Sequence, residues 1–235
     1  MLGIIVELLL SWILLWLLQK QSLTVLGIFP TRRRIRALIL GFIFAGMINA
    51  VYHIGTAWAV RDPWQWSAEF TVRHFFSGFW WVLKSVLFEE LLFRGALLYL
   101  LIKYIGAHKA CWMAAIAFGI YHWFSYGAFG NPAQMAIVFL ITGLAGLMYA
   151  YAFSRTGSLY LPVALHLGWN LVNIVVFSNG PLGRQWWYRN GDLKPEGLPS
   201  LFLFLFQVLA LPLLVLGYLR VFKKRRPSAV ERDLL

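Results

Sequence analysis

Long apolar runs separated by short, mostly basic breaks dominate the chain. The first run covers residues 2–18 and holds one charge, Glu7. A secretory signal places basic residues before its apolar core and a small-residue cleavage site behind it. Here Glu7 lies near the start and Gln19, Lys20 and Gln21 follow, which predicts a retained helix. A basic linker with Arg32, Arg33, Arg34 and Arg36 leads to a second run over 37–60, longer than the ~20 residues that cross a bilayer core. Its exit loop, 61–73, carries Pro63 and the interfacial residues Trp64 and Trp66. Residues 74–103 contain no Pro and little Gly, predicting one long helix. That helix holds Lys84, Glu89, Glu90 and Arg94 among apolar neighbours. Further runs cover 110–126, 132–153, 159–177 and 201–222. Asn131-Pro132 suits a helix start, residues 154–157 close that helix, and 178–200 form the longest polar loop. The pattern predicts an all-α fold: a polytopic membrane helix bundle of about seven transmembrane helices, with a polar cavity near the bilayer centre. One membrane domain is expected over 1–235, with no internal repeat.

Composition narrows the class. The chain is 60% hydrophobic and 13% charged, against about 45–50% and about 25% in soluble domains. That excludes a water-soluble globule, a disordered chain and a disulfide scaffold. A net charge of +12 does not indicate nucleic acid, because the basic residues cluster between apolar runs, as in membrane proteins that fix their orientation this way. With the loop after the first helix placed inside, the inner side collects Lys20, Arg32, Arg33, Arg34, Arg36, Lys103, Lys109, Arg155, Arg220, Lys223, Lys224, Arg225, Arg226 and Arg232. The outer side collects Arg61, Arg73, Arg184, Arg189 and Lys194. This bias predicts the N-terminus outside and the C-terminus cytoplasmic. The only cysteine, Cys111, cannot form an internal disulfide, and its apolar setting points to packing.

Charged residues at mid-membrane are costly, by about 2.5–3.5 kcal/mol on insertion scales, and are functional candidates by default. Three groups qualify. Glu90 and Arg94 are i and i+4 on one helix face and can pair. Glu89, about 100° round the helix, is then left as a proton acceptor facing the interior. Phe118 and His122 form the second group, and His166 and Asn170, again i and i+4, the third. At 1.5 Å per residue, Glu90, His122 and Asn170 lie about 18–20 Å, and His166 about 12 Å, from the inner ends of their runs, in one layer. Each group also has a bland reading, as an ion pair locking helices or as interhelical hydrogen-bond glue. Together, carboxylates, imidazoles and an amide suit water activation and oxyanion stabilisation in amide hydrolysis. His53 is read as structural or in contact with substrate. His74 and His108 are placed at interfaces, and Lys84 as snorkelling or pairing with a carboxylate.

In order along the chain stand Glu89-Glu90…Arg94, Phe118…His122 and His166…Asn170. At these residues, within 82–173, the sequence resembles the CPBP family of CAAX-processing and bacteriocin-immunity intramembrane proteases. The resemblance implies proteolysis inside the membrane, with Glu89 and His122 activating water, His166 and Asn170 stabilising the oxyanion, and Glu90, Arg94 and Phe118 shaping the site. It implies a glutamate protease without a cofactor; the alternative is a zinc enzyme ligated by Glu89, His122 and His166. The expected partners are membrane lipid and a membrane-anchored or lipidated protein or peptide cut near its C-terminus. The short, loop-poor build suggests a bacterial cytoplasmic membrane. The competing function classes are a non-proteolytic immunity or scaffold protein and a proton-coupled transporter. The transporter should show repeats and broken helices. The 178–200 loop is read as an interfacial anchor or a partner contact.

Overall fold

The computed structural model describes residues 2–177, 180–183, 185–191 and 193–223. The expected tail residues Lys224, Arg225, Arg226 and Arg232, and loop residue Arg184, lie outside them. The described residues form eight α-helices: α1 (Leu2–Gln19), α2 (Arg32–Val60), α3 (Val72–Arg94), α4 (Ala96–Ile105), α5 (Ala107–Ser125), α6 (Pro132–Thr156), α7 (Tyr160–Leu171) and α8 (Gly197–Lys223). Side chains cap the starts of three helices, of which the sequence marks the one at Asn131-Pro132. Thr31 Oγ1 accepts from Arg34 N at the start of α2, and Asn131 Oδ1 accepts from Gln134 N just before Pro132. Thr71 and His74 form a reciprocal capping box at α3. The helices α1, α2, α6 and α8 are each long and apolar enough to cross a membrane. The all-α bundle is therefore the architecture.

One expectation is corrected. The single helix over 74–103 is two, broken at Gly95, whose φ of −78° and ψ of −137° leave the helical region. A Cβ there would stand 2.2 Å from the carbonyl oxygen of Leu91, so only glycine fits this bend. An absence of proline does not keep a helix straight when a glycine can turn it. The break falls immediately after Arg94, so the charged turn ends α3 and α4 leaves in a new direction.

The helix ends gather into two sets. At one end, Lys103 Nζ donates to Gln19 Oε1 at 3.0 Å, and Ser158 Oγ donates to the Gly27 carbonyl at 3.0 Å. At the other end, β1 (Gln65–Trp66) and β2 (Trp187–Tyr188) form a short antiparallel ladder. Trp186 stacks on Phe70, with centroids 5.8 Å apart, and its backbone N–H bonds to Val175 O. The described part of the 178–200 loop is thus folded onto the 61–71 loop.

Close helix approach positions α7. Lipid offers little hydrophobic driving force for helix association, so small residues and tight contact carry it. Gly41 of α2 faces Ala164 of α7, and Gly46 faces Val172. At Gly168 a Cβ would lie 2.2 Å from the Phe42 carbonyl oxygen. Backbones in contact here fix the depth and rotation of the helix that carries His166. Beyond Leu171 the chain widens into a π-helical turn, Val172–Val176.

Candidate active site

Glu89 and Glu90 lie in the last two turns of α3, His122 lies near the end of α5, and His166 lies in the middle of α7. The fold brings these four together. Glu90 and Arg94 have no exposed side-chain surface, and Arg94 Nη1 lies 3.2 Å from Glu90 Oε1. The same oxygen accepts from His166 Nδ1 at 2.8 Å. Arg94 Nη2 donates to the Gly146 carbonyl of α6 at 3.2 Å. The guanidinium carbon stands 4.1 Å from the centroid of Phe118 and 5.1 Å from that of Tyr149, so the cation is held by rings as well as by a carboxylate. Phe118 has a further part: its carbonyl accepts from His122 Nδ1 at 2.8 Å.

These bonds set the imidazole tautomers. A carbonyl and a carboxylate only accept, so Nδ1 of both histidines carries a proton. Both Nε2 atoms then face Glu89 Oε2, each at 3.8 Å. That oxygen is buried and has no hydrogen-bond partner among the described residues. Glu89 Oε1 accepts from Ser85 Oγ at 3.4 Å. Glu90 gives its Oε1 to both structural bonds and keeps a buried, unbonded Oε2; what sets Glu89 apart is that its unbonded Oε2 lies between two imidazoles.

Asn170 lies one turn beyond His166 and is half-buried. It takes no part in the bonds among Glu89, Glu90, Arg94, His122 and His166. His53 lies apart from the set, on α2. Its Nε2 donates to Asn173 Oδ1 at 2.9 Å and its ring stacks on Phe177. His108 bonds Tyr151 at 2.7 Å, and Lys84 stands over Trp80 rather than beside a carboxylate. Cys111 is buried in the apolar core.

Three participants escaped the sequence reading. Tyr149 of α6 stacks on His166, with centroids 4.8 Å apart and planes 17° apart. Gly146 gives its carbonyl to Arg94 and leaves room for Phe118, whose Cδ1 would lie 2.9 Å from a Cβ. Ser85 precedes Glu89 by four residues, a spacing that sequence alone makes visible.

Among the described residues no group of three His, Cys, Asp or Glu is spaced to hold a metal ion. Glu89, His122 and His166 are the set expected for zinc. A tetrahedral ion bound at about 2.0–2.1 Å would bring nitrogen and oxygen to within about 3.4 Å of each other, whereas both separations here are 3.8 Å.

No curated protein and no solved structure matches the chain. A family model does: residues 71–172 match type II CAAX prenyl endopeptidase Rce1-like proteins. The matched stretch runs from the cap of α3 to the end of α7 and contains all three polar motifs. Through this core the chain is similar to the Rce1-like family of type II CAAX prenyl endopeptidases.

Proposed function

We propose that the chain is a glutamate-type intramembrane endopeptidase, in a bacterial cytoplasmic membrane, that hydrolyses a peptide bond near the C-terminus of a membrane-anchored or lipidated protein. The observation that carries the reading is Glu89 Oε2, unbonded and 3.8 Å from two Nδ1-anchored imidazoles. A direct hydrogen bond is shorter than 3.8 Å, and a water at about 2.8 Å from both Glu89 Oε2 and His122 Nε2 fits against the pair. Both atoms accept, so both can take a proton from that water as it attacks a carbonyl carbon. The proton then passes to the leaving amine.

His166 serves the opposite charge. With Nδ1 committed to Glu90, a proton on its Nε2 gives an imidazolium that donates to the developing oxyanion. Two carboxylates, one guanidinium and this imidazolium make the set neutral in total. Asn170, one turn further along α7, supplies its amide N–H to the same oxygen. Glu90 and Arg94 hold His166 and Phe118 in place and do not react.

A scaffold or immunity protein would use Glu90, Arg94 and His166 to join α3, α6 and α7, but it has no use for the unbonded oxygen of Glu89. The discriminating experiment presents a panel of lipidated and single-span peptides, a prenylated Cys-terminal-motif peptide among them, to vesicles holding wild type, Glu89→Gln or His122→Ala. Each substitution is expected to lower cleavage by at least ~10²-fold, the usual contribution of a general base, with the protein still inserted and folded. Full cleavage by either variant would overturn the assignment. Exhaustive chelation separates the zinc alternative: activity is expected to persist, and its loss with restoration by zinc would establish a metalloprotease.

A further inference from the structure

His122 lies three residues before the end of α5 at Ser125. The chain then turns at once: the Tyr126 N–H bonds back to the His122 carbonyl, and α6 begins at Pro132. The first turn of α6 is level with the catalytic imidazole, because Trp123 Nε1 donates to the Met135 carbonyl at 2.8 Å. At 1.5 Å per residue the turn over 126–131 starts only about 5 Å beyond His122, whereas Ala107, the other end of α5, is about 22 Å away. The whole of α5 is about 28 Å long, close to the ~30 Å of bilayer hydrocarbon. By contrast α3 starts at Val72, about 25 Å beyond Glu89 on the same side. The catalytic centre thus lies behind a low rim made by α5 and α6, with α3 standing tall beside it.

The rim meets water. Tyr126, Gly127, Phe129, Gly130 and Asn131 are exposed, and the N–H groups of Phe129 and Gly130 have no partner among the described residues. Irregular backbone does not face lipid within the hydrocarbon, because nothing there satisfies its polar groups. The α3 flank gives the same level. Lys84 Nζ lies over the Trp80 ring, and Trp80 and Trp81 are exposed. These three precede Glu89 by about 7–14 Å toward the same face, where Trp and snorkelling Lys mark a membrane–water boundary. The Tyr126 ring is 64% exposed and its centroid stands 5.7 Å from that of His122. Beneath it the side chains of His122 and Glu89 keep 9% and 13% of their surface, so the centre is not sealed.

We propose that the catalytic pair opens to water beneath the α5–α6 turn, on the face that the basic-residue bias places outside, and that its substrate is an exported, membrane-anchored protein cut at the outer end of its membrane segment. The substrate class rests on the protease reading; the water path does not. Water reaches Glu89 over the rim, and a scissile bond about one helical turn below the boundary meets it there.

The test reads access and cleavage separately. In full-length Cys111→Ala protein in intact cells, Phe129→Cys and His122→Cys are treated with a membrane-impermeant thiosulfonate. Thiols react as thiolates and are inert in apolar surroundings, so both should react at least ~10-fold faster than Leu140→Cys, an exposed position deeper along α6. Reaction no faster than Leu140→Cys, or only after permeabilisation, overturns the outer opening; Phe129→Cys decides it alone if His122→Cys does not fold. Single-span reporter proteins of known orientation are then co-expressed with protein in which Glu89 and His122 are intact, and the products are mapped by mass spectrometry. Cuts should fall within about 10 Å, two helical turns, of the outer end of the reporter's apolar segment. Cuts at its centre or inner end overturn the substrate class. Labelling from outside with no reporter cleaved removes the protease and leaves the water path standing.

Discussion

Arg94 shows how one side chain can draw several elements together. It has no exposed surface and is held at once by Glu90, the Gly146 carbonyl and the rings of Phe118 and Tyr149. Arg94→Ala would leave the Glu90 carboxylate buried beside His166 without its guanidinium. Removing one partner of a buried pair costs about 3–5 kcal/mol, and thermal unfolding in detergent micelles should register a loss of that size. Arg94→Lys should fall between, because an ammonium keeps the charge but not the fork that reaches Gly146. Glu89→Gln should barely move the same unfolding curve, since Glu89 Oε2 has no hydrogen bond to lose. A large loss of stability in Glu89→Gln would make Glu89 a structural residue. Part of this was legible beforehand. The i, i+4 spacing of Glu90 and Arg94 predicts their pairing, and the structure has it at 3.2 Å. The roles of Gly146 and Tyr149 were not legible, because they depend on how α6 is rotated against α3 and α7, and no local spacing encodes that.

At the level of elements, glycines decide where helices bend and touch. Gly168→Ala would set a Cβ 2.2 Å from the Phe42 carbonyl oxygen. Backbone cannot swing aside as a side chain does, so α7 must part from α2. Overpacking of this kind costs about 1–3 kcal/mol, and the displacement should lower cleavage through His166 while Glu89 and His122 stay in place. Gly217 of α8 is the contrast: nothing lies within 4 Å of its Cβ position. Gly217→Ala should be neutral or gain up to about 1 kcal/mol from helix propensity. Unfolding both variants in the same micelles checks the pair, and equal effects would contradict the packing described here. The bend at Gly95 shows why such features are hard to foresee. A lone glycine inside a helical pattern is usually tolerated, and only the position of the Leu91 carbonyl shows that this one is required.

For the whole molecule, the alternation of apolar runs and basic breaks foretold the all-α bundle and the grouping of loops at its two ends. It could not foretell that α1, read only as a retained helix, packs its Gly3 against the ring of Phe88, the residue before the motif acids. The expected orientation, N-terminus outside, is open to a direct check because Cys111 is the only cysteine. In a Cys111→Ala background, Ala68→Cys should react with a membrane-impermeant thiol reagent in intact cells, whereas Gln21→Cys should react only after permeabilisation. The reverse pattern would invert the topology. The central claim, that Glu89 drives hydrolysis of a peptide bond within the bilayer, is tested most directly by mass spectrometry of products formed in ¹⁸O-labelled water by metal-stripped protein in vesicles. The account predicts that wild type releases a fragment whose new carboxyl carries ¹⁸O, and that Glu89→Gln, equally folded and binding the same peptide, releases none. Labelled product from Glu89→Gln at the wild-type rate would contradict it.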